Sequence, residues 1–294
     1  MNCIFEGVAT ALYTPFKDGG IDFEQFDKLI YRQLKSKVDA LVFLGTTGES
    51  PTVTRKERTE IIKYAVSRLK GKLPIIIGTG SNCTQTACEL TSEAKTLGAD
   101  GALIVTPYYN KCEQDGLFYH YEKISKVCDF PFICYNVPSR TGVNIEPKTA
   151  KALTSLKGMS GIKEASLDKN HIEVLFKEVG DITHIYCGSD ELINLFLSLK
   201  SKGIISVSSN VIPLKIKEYI CDFENNYERA KSFYDLKLKD FLKALSTKIN
   251  PIPIKVLAEI FYGEKCDFRL PLSYPNSDYL NYLKSIFKTF ENNL

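Results

Sequence analysis

Eight short, nearly continuous apolar runs recur along the chain: Gly7 to Tyr13, Ala40 to Gly45, Pro74 to Gly78, Gly101 to Thr106, Pro131 to Tyr135, Met159 to Lys163, His184 to Gly188 and Gly203 to Val207. None shows the in-out alternation of a half-exposed strand, so they read as strands of a parallel sheet covered on both faces. Helical spacing fills most of the gaps. Asp22 caps an amphipathic helix with Phe23, Phe26, Leu29, Ile30 and Leu34 on one face. Further helices are expected near Arg55 to Leu69, Thr84 to Leu97, Gln114 to Val127, Glu146 to Ser155 and Glu191 to Leu199; no helix is assigned between Lys163 and His184. This alternation predicts an α/β fold, a closed (β/α)8 TIM barrel, with an open doubly wound sheet as the competing architecture.

From Pro213 onward the strands stop. Helices are expected at Tyr227 to Ser246, Pro253 to Phe261 and Tyr279 to Phe290, and no Gly/Ser-rich linker separates them from what precedes. The expected organisation is a barrel over residues 1–225 and a helical region over 226–294 packed on it.

Composition narrows the partners. The 294 residues are 44% hydrophobic and 25% charged, with a net charge of +3, too small to imply nucleic acid. Basic residues alternate with acids, as in Arg55-Lys56-Glu57-Arg58, which is the pattern of a solvated helix face. The nine cysteines include no Cys-x-x-Cys pair, and Cys134 and Cys187 read as small buried hydrophobes of a reducing compartment. The first strand begins too early to leave room for a signal peptide, and no apolar run approaches the ~20 residues that span a bilayer. A cytoplasmic protein without membrane attachment is expected.

In a barrel the chemistry sits at the C-terminal ends of the strands. There the second strand leads into Gly45-Thr46-Thr47-Gly48-Glu49-Ser50, the fourth into Thr106-Pro107-Tyr108-Tyr109-Asn110, and the seventh into Gly188-Ser189-Asp190. The fifth ends in Tyr135, the sixth carries Lys163, and the eighth carries Ile205-Ser206. A βαβ unit places Tyr135 and Lys163 side by side on one rim. A lysine in an apolar strand is costly unless it has a purpose or a partner. The functional reading is an amine that attacks a carbonyl; the bland one is a strand-end lysine reaching water or an acid. His120, His171 and His184 lack metal-ligand spacing, Gly78-Thr79-Gly80 lacks the third glycine of a dinucleotide fingerprint, and no Gly-x-Ser-x-Gly elbow occurs.

Taken together, Gly45 to Ser50, Thr106 to Asn110, Tyr135-Asn136-Val137-Pro138-Ser139-Arg140-Thr141-Gly142, Gly161-Ile162-Lys163-Glu164-Ala165 and Asn250-Pro251-Ile252-Pro253-Ile254-Lys255 resemble the dihydrodipicolinate synthase family. The resemblance covers essentially the whole chain. It implies a (β/α)8 barrel with C-terminal helices and a condensation of pyruvate with L-aspartate-4-semialdehyde, with neither metal nor organic cofactor. Lys163 would form a Schiff base with pyruvate. Tyr135, Thr46 and Tyr109 would form a proton relay, with Tyr109 reaching into a neighbouring subunit. Thr47, Ile205 and Gly188 would bind pyruvate, and Arg140 the semialdehyde carboxylate. The family's usual assembly, a tetramer built as a dimer of dimers, is the expected oligomer.

N-acetylneuraminate lyase, a related pyruvate aldolase, is the alternative within the fold, and Arg140 weighs against it because the synthase uses that position for a short acidic substrate. A catalytically silent barrel is the alternative from another class. Lysine-inhibited members bind lysine at positions matching Ser50, Pro51, Arg55, Arg58, Asn82, Thr86 and Tyr108. Thr86 stands where they carry a carboxylate, and Arg55 and Arg58 where a sensitive bacterial enzyme has histidines, so little or no lysine inhibition is expected.

Overall fold

The computed structural model describes residues 3–292. Its strands are β1 (Gly7–Ala11), β2 (Ala40–Phe43), β3 (Ile75–Gly78), β4 (Gly101–Val105), β5 (Phe132–Asn136), β6 (Met159–Glu164), β7 (Ile185–Cys187) and β8 (Gly203–Ser206). Each pairs in parallel with the next, and β8 returns to β1 with Gly7 opposite Gly203 and Ala9 opposite Ile205. The sheet is therefore a closed (β/α)8 barrel, and the open doubly wound alternative is excluded because no strand is left as an edge.

The outer helices are α1 (Phe23–Lys35), α2 (Arg55–Leu69), α3 (Thr84–Thr96), α4 (Gln114–Cys128), α5 (Pro147–Leu153), α6 (Lys169–Val179), α7 (Ile193–Ser198) and α8 (Pro213–Asn225). Asp22 caps α1 by accepting from the Gln25 N–H, as its position predicts. Helix α6 is an addition to the sequence reading. Asp168 caps it through the Asn170 and His171 N–H groups, but its buried residues are only Ile172, Leu175 and Val179, so its apolar stripe is thin. Two expected bounds also shift. The first strand stops at Ala11 because the Tyr13 N–H turns to Asn210 Oδ1 at 3.2 Å, and the helix expected from Glu191 opens with a 3-10 turn over Asp190–Leu192. A two-stranded ribbon, Phe16–Lys17 with Gly20–Ile21, precedes α1 and was not anticipated.

Two apolar layers explain why the strand runs lack alternation. Alternate strand residues, including Ala9, Ala40, Val42, Ile76, Leu103, Ile133, Tyr186 and Ile205, fill the barrel interior. Their neighbours, including Val8, Leu41, Phe43, Ile75, Ile77 and Ile162, pack outward against the helices. Each fully buried aliphatic or aromatic side chain stabilises the fold by about 1.5–3 kcal/mol relative to exposure. Tyr186 fills part of this interior, stacking on Phe5 with ring centroids 4.5 Å apart and donating its hydroxyl to the Phe5 carbonyl at 2.8 Å. Gly161 makes room for it, since a Cβ there would lie 2.8 Å from the Tyr186 ring. Lys163 follows on the same face of β6, opposite Tyr186 in register.

Beyond α8 come α9 (Tyr227–Phe233), a π turn over Tyr234–Leu238, α10 (Lys239–Ala244), α11 (Ile252–Tyr262) and α12 (Ser277–Asn292). The single helix expected over Tyr227 to Ser246 is thus interrupted by the π turn. Phe241 joins the last three helices, its ring 6.0 Å from Phe261 and 5.0 Å from Phe290. Among the described residues no helix is long and apolar enough to cross a membrane, and all nine cysteines are free, with Cys134 and Cys187 buried as expected.

Candidate active site

The register of β5 and β6 sets Tyr135 directly opposite Lys163 at the C-terminal ends of the strands. Lys163 is 4% exposed, and its Nζ lies 4.4 Å from the centre of the Tyr135 ring. Among the described residues it makes neither an ion pair nor a side-chain hydrogen bond, so the reading in which an acid holds this lysine has no partner to rest on.

Its neighbour Glu164 faces the other way, as strand geometry requires. The Glu164 carboxylate is wholly buried and accepts from Asn136 Nδ2 at 2.8 Å, the Ser166 N–H at 2.5 Å and His171 Nε2 at 3.3 Å. The bond to Glu164 raises the His171 pKa. Asn136 also donates to Asn144 Oδ1 at 2.7 Å. This network clamps the ends of β5 and β6 together from outside, so Tyr135 and Lys163 keep their inward faces.

The loop after β2 carries the hydroxyls. Thr47 is 2% exposed, and its Oγ1 accepts from Asn250 Nδ2 at 3.0 Å. The Gly48 carbonyl accepts from Thr14 Oγ1 at 2.7 Å. Glu49 adopts the left-handed region at φ +52° and forms a buried ion pair with Lys255 of α11. Burial raises the Glu49 pKa, with Lys255 opposing the shift.

A cavity of about 570 Å³ opens at this rim, with Thr46, Tyr135, Arg140, Asn250, Arg58 and Tyr108 among its walls. Five other expected residues, Tyr109 among them, stand off these walls. Lys163, Thr47 and Ile205 are buried, and the Gly188 N–H is bonded to the Glu164 carbonyl at 2.7 Å. Tyr109 is different. It is 90% exposed and holds φ +73°, a strained conformation for a bulky residue, of the kind that clusters at functional sites.

Some organising contacts carried no local signal. Asp190 accepts from the hydroxyls of Ser206 and Ser208, each at 2.5 Å, and from the Val207 N–H at 2.8 Å, fixing the end of β8 beside Ile205. Asn250 meets Thr47 from 203 positions away. The fold also brings His184 to Cys3 and Glu6, with donor atoms within 4.8 Å of one another, although sequence spacing set the histidines apart. That group precedes β1 and β7 and so lies at the opposite end of the barrel from Lys163.

A (β/α)8 barrel with a buried lysine against a tyrosine on its C-terminal rim is the architecture of a class I aldolase-type lyase. The sequence pattern of the dihydrodipicolinate synthetase family matches residues 4–290, and the chain belongs to that family. The 4-hydroxy-tetrahydrodipicolinate synthase of Alkaliphilus oremlandii is 44% identical over 271 residues, 92% of this chain and 93% of that protein. A solved structure of a monomeric dihydrodipicolinate synthase variant superimposes with a TM-score of 0.93 at 38% identity, covering 98% of this chain and 97% of that one. The enzyme of Cyanidioschyzon merolae, solved with lysine bound, gives a TM-score of 0.93 at 32% identity and covers 99% of both chains.

Proposed function

We propose that this protein is a 4-hydroxy-tetrahydrodipicolinate synthase, condensing pyruvate with L-aspartate-4-semialdehyde on the route to diaminopimelate and lysine. The observation that carries the reading is the pairing of Lys163 with Tyr135 at the strand ends, 4.4 Å from amine to ring centre, in a chain of this family. Relatives bearing that activity match nearly the full length.

The Lys163 amine adds to the keto carbon of pyruvate, and loss of water leaves a protonated imine. The imine withdraws electrons from the methyl carbon, which loses a proton to become a nucleophilic enamine. That carbon attacks the aldehyde of the second substrate, the alkoxide formed takes up a proton, and the semialdehyde's own amine then displaces Lys163 from the imine carbon, closing the ring and freeing the lysine. Tyr135 passes these protons together with Thr46 and with Tyr109 of a second protomer, a reading supported by Tyr135 and Thr46 sharing one cavity wall. Thr47 and Ile205 hold pyruvate with Gly188, and Arg140 at the exposed mouth holds the semialdehyde carboxylate. This chemistry calls for no metal or organic cofactor and has no use for nucleic acid. The exposure and strain of Tyr109 favour a homo-oligomer, with a dimer of dimers as the family's usual form. Residues 1–225 then serve as the catalytic barrel and 226–294 as the helical region packed against it, in a cytoplasmic enzyme.

A coupled assay comparing aldehyde partners for pyruvate tests the assignment. Turnover with aspartate semialdehyde, and not with sugar aldehydes or in cleavage of sialic acid, is the expected outcome. Preference for the sugar substrates would assign the chain to the sialic acid lyases instead.

A further inference from the structure

Asn250 stands between the two places where the proposed reaction needs a carboxylate held. Its side-chain Nδ2 donates to Thr47 Oγ1 at 3.0 Å, and its backbone carbonyl accepts from Arg140 Nη2 at 3.3 Å. The residue is on the cavity wall, yet its Oδ1 is shielded from solvent and has no hydrogen-bond partner. A buried amide left half satisfied lowers stability, so packing alone does not explain the arrangement. Nor does helix capping, because α11 begins after Pro251 and takes no side-chain cap.

Donor and acceptor roles supply the explanation. A threonine hydroxyl that already accepts an amide N–H still has its own proton to give. With Asn250 on one side, the Thr47 O–H is left to donate to a carboxylate oxygen, the role the proposed mechanism assigns it. The same contact pins the residue 250 backbone, whose carbonyl steadies the guanidinium of the otherwise exposed Arg140. We infer that Asn250 is a positioning residue for both carboxylate grips, orienting the Thr47 hydroxyl through its side chain and Arg140 through its backbone. The C-terminal helical segment is thereby part of the substrate site. This inference rests on the synthase reading above.

The test compares Asn250→Ala and Asn250→Asp with the parent enzyme, varying each substrate in turn and recording thermal unfolding. Both variants lose the Nδ2 donor. The pyruvate KM should rise about tenfold, as expected for one lost hydrogen bond, and the semialdehyde KM by a smaller factor. The unfolding temperature of Asn250→Ala should hold or rise, because an unsatisfied oxygen has been removed. In a Thr47→Val background Asn250→Ala should leave the pyruvate KM where Thr47→Val alone put it. Unchanged KM values, a fall in unfolding temperature that accounts for the lost activity, or a full additive effect without the Thr47 hydroxyl would each overturn the inference. Borohydride trapping at graded pyruvate, with no aldehyde present, separates the two failures. A parent enzyme that traps with the same half-saturation as the variants defeats only the role of Asn250, whereas a parent that never traps defeats the synthase reading and this inference with it.

Discussion

Glu49 and Lys255, each 1% exposed, form an ion pair that fastens the loop after β2 to helix α11. Lys255 Nζ also donates to the Asp267 carbonyl at 3.1 Å and lies 4.5 Å from the centre of the Phe16 ring. Taking one charge away strands the other in a dry site, which typically costs about 3–5 kcal/mol, while replacing both with neutral groups costs far less. Lys255→Met should therefore lower stability by that order, and adding Glu49→Gln should recover much of the loss. Urea unfolding of the two single variants and the double variant checks this through the coupling term of the cycle. Additive losses would show that the pair contributes nothing as a unit.

A second tie, between Glu57 of α2 and Arg269, makes stability depend on pH. Hydrogen bonding to the Arg269 guanidinium holds the Glu57 carboxyl at about 2, below its ordinary 4.5. Arg269 also donates to the Thr52 carbonyl at 2.8 Å and the Gly19 carbonyl at 2.7 Å. A depressed acid stabilises the fold fully above its unfolded pKa, near ~4.3, and that stabilisation is lost as pH falls toward the folded value. Allowing for partial exposure, Glu57→Gln should reduce stability by about 2–3 kcal/mol at pH 7, with the gap from the parent closing as pH falls from ~4.3. A gap that stays constant in unfolding curves down to pH ~3 would contradict this.

The proposed relay makes separate demands on three hydroxyls. Tyr135→Phe and Thr46→Val should each lower kcat on the order of 10² to 10⁴, the range of a positioned proton donor, with the fold intact by circular dichroism. Near-normal kcat in either would remove that residue from the relay. Tyr109→Phe should lose activity as well, and mixing it with Lys163→Ala chains should restore some, because a hybrid holds one site with both groups. No recovery in demonstrated hybrids would place Tyr109 in the site of its own chain.

Lysine should inhibit poorly. Arg55, Arg58 and Thr86 line the cavity together with Ser50 and Tyr108. Arg58 is 4% exposed and bonds Ser50 Oγ at 3.2 Å and the Gly78 carbonyl. Burial lowers its pKa to about 10, which leaves it cationic at neutral pH. Arg55 already engages Glu89 and Glu93. An incoming ammonium meets guanidinium groups and, at Thr86, a neutral hydroxyl; the lack of one charge-assisted bond forfeits roughly 1.5–3 kcal/mol. Initial rates at subsaturating pyruvate should be unaffected by submillimolar lysine, and strong partial inhibition there would show that another acid completes the pocket.

Much of the barrel was readable because parallel strands buried on both faces leave unbroken runs such as Ile75-Ile76-Ile77, and Tyr135 and Lys163 fall opposite each other once those runs pair. Helix α6 escaped because three buried residues spread over Lys169–Val179 make a weak period. The π turn at Tyr234–Leu238 changes the hydrogen-bond register without changing the apolar pattern around it. At the site, residue types on strand ends pointed to a lysine with hydroxyls nearby. The partners that aim them did not show: Asn250 on Thr47, Glu164 on Asn136 and Asp190 on Ser206 are contacts between distant segments, set by closure of the barrel and docking of α11. A role for Tyr109 is suggested only by the family resemblance, since paired tyrosines such as Tyr108 and Tyr109 are commonly packing residues.

The central claim is that Lys163 carries the substrate as an imine. Borohydride added with pyruvate should stop turnover, and peptide mapping should find one reduced pyruvyl adduct, on Lys163. Lys163→Ala should trap nothing. Irreversible loss of activity with the adduct on another lysine, or undiminished turnover with Lys163 unmodified, would contradict the account.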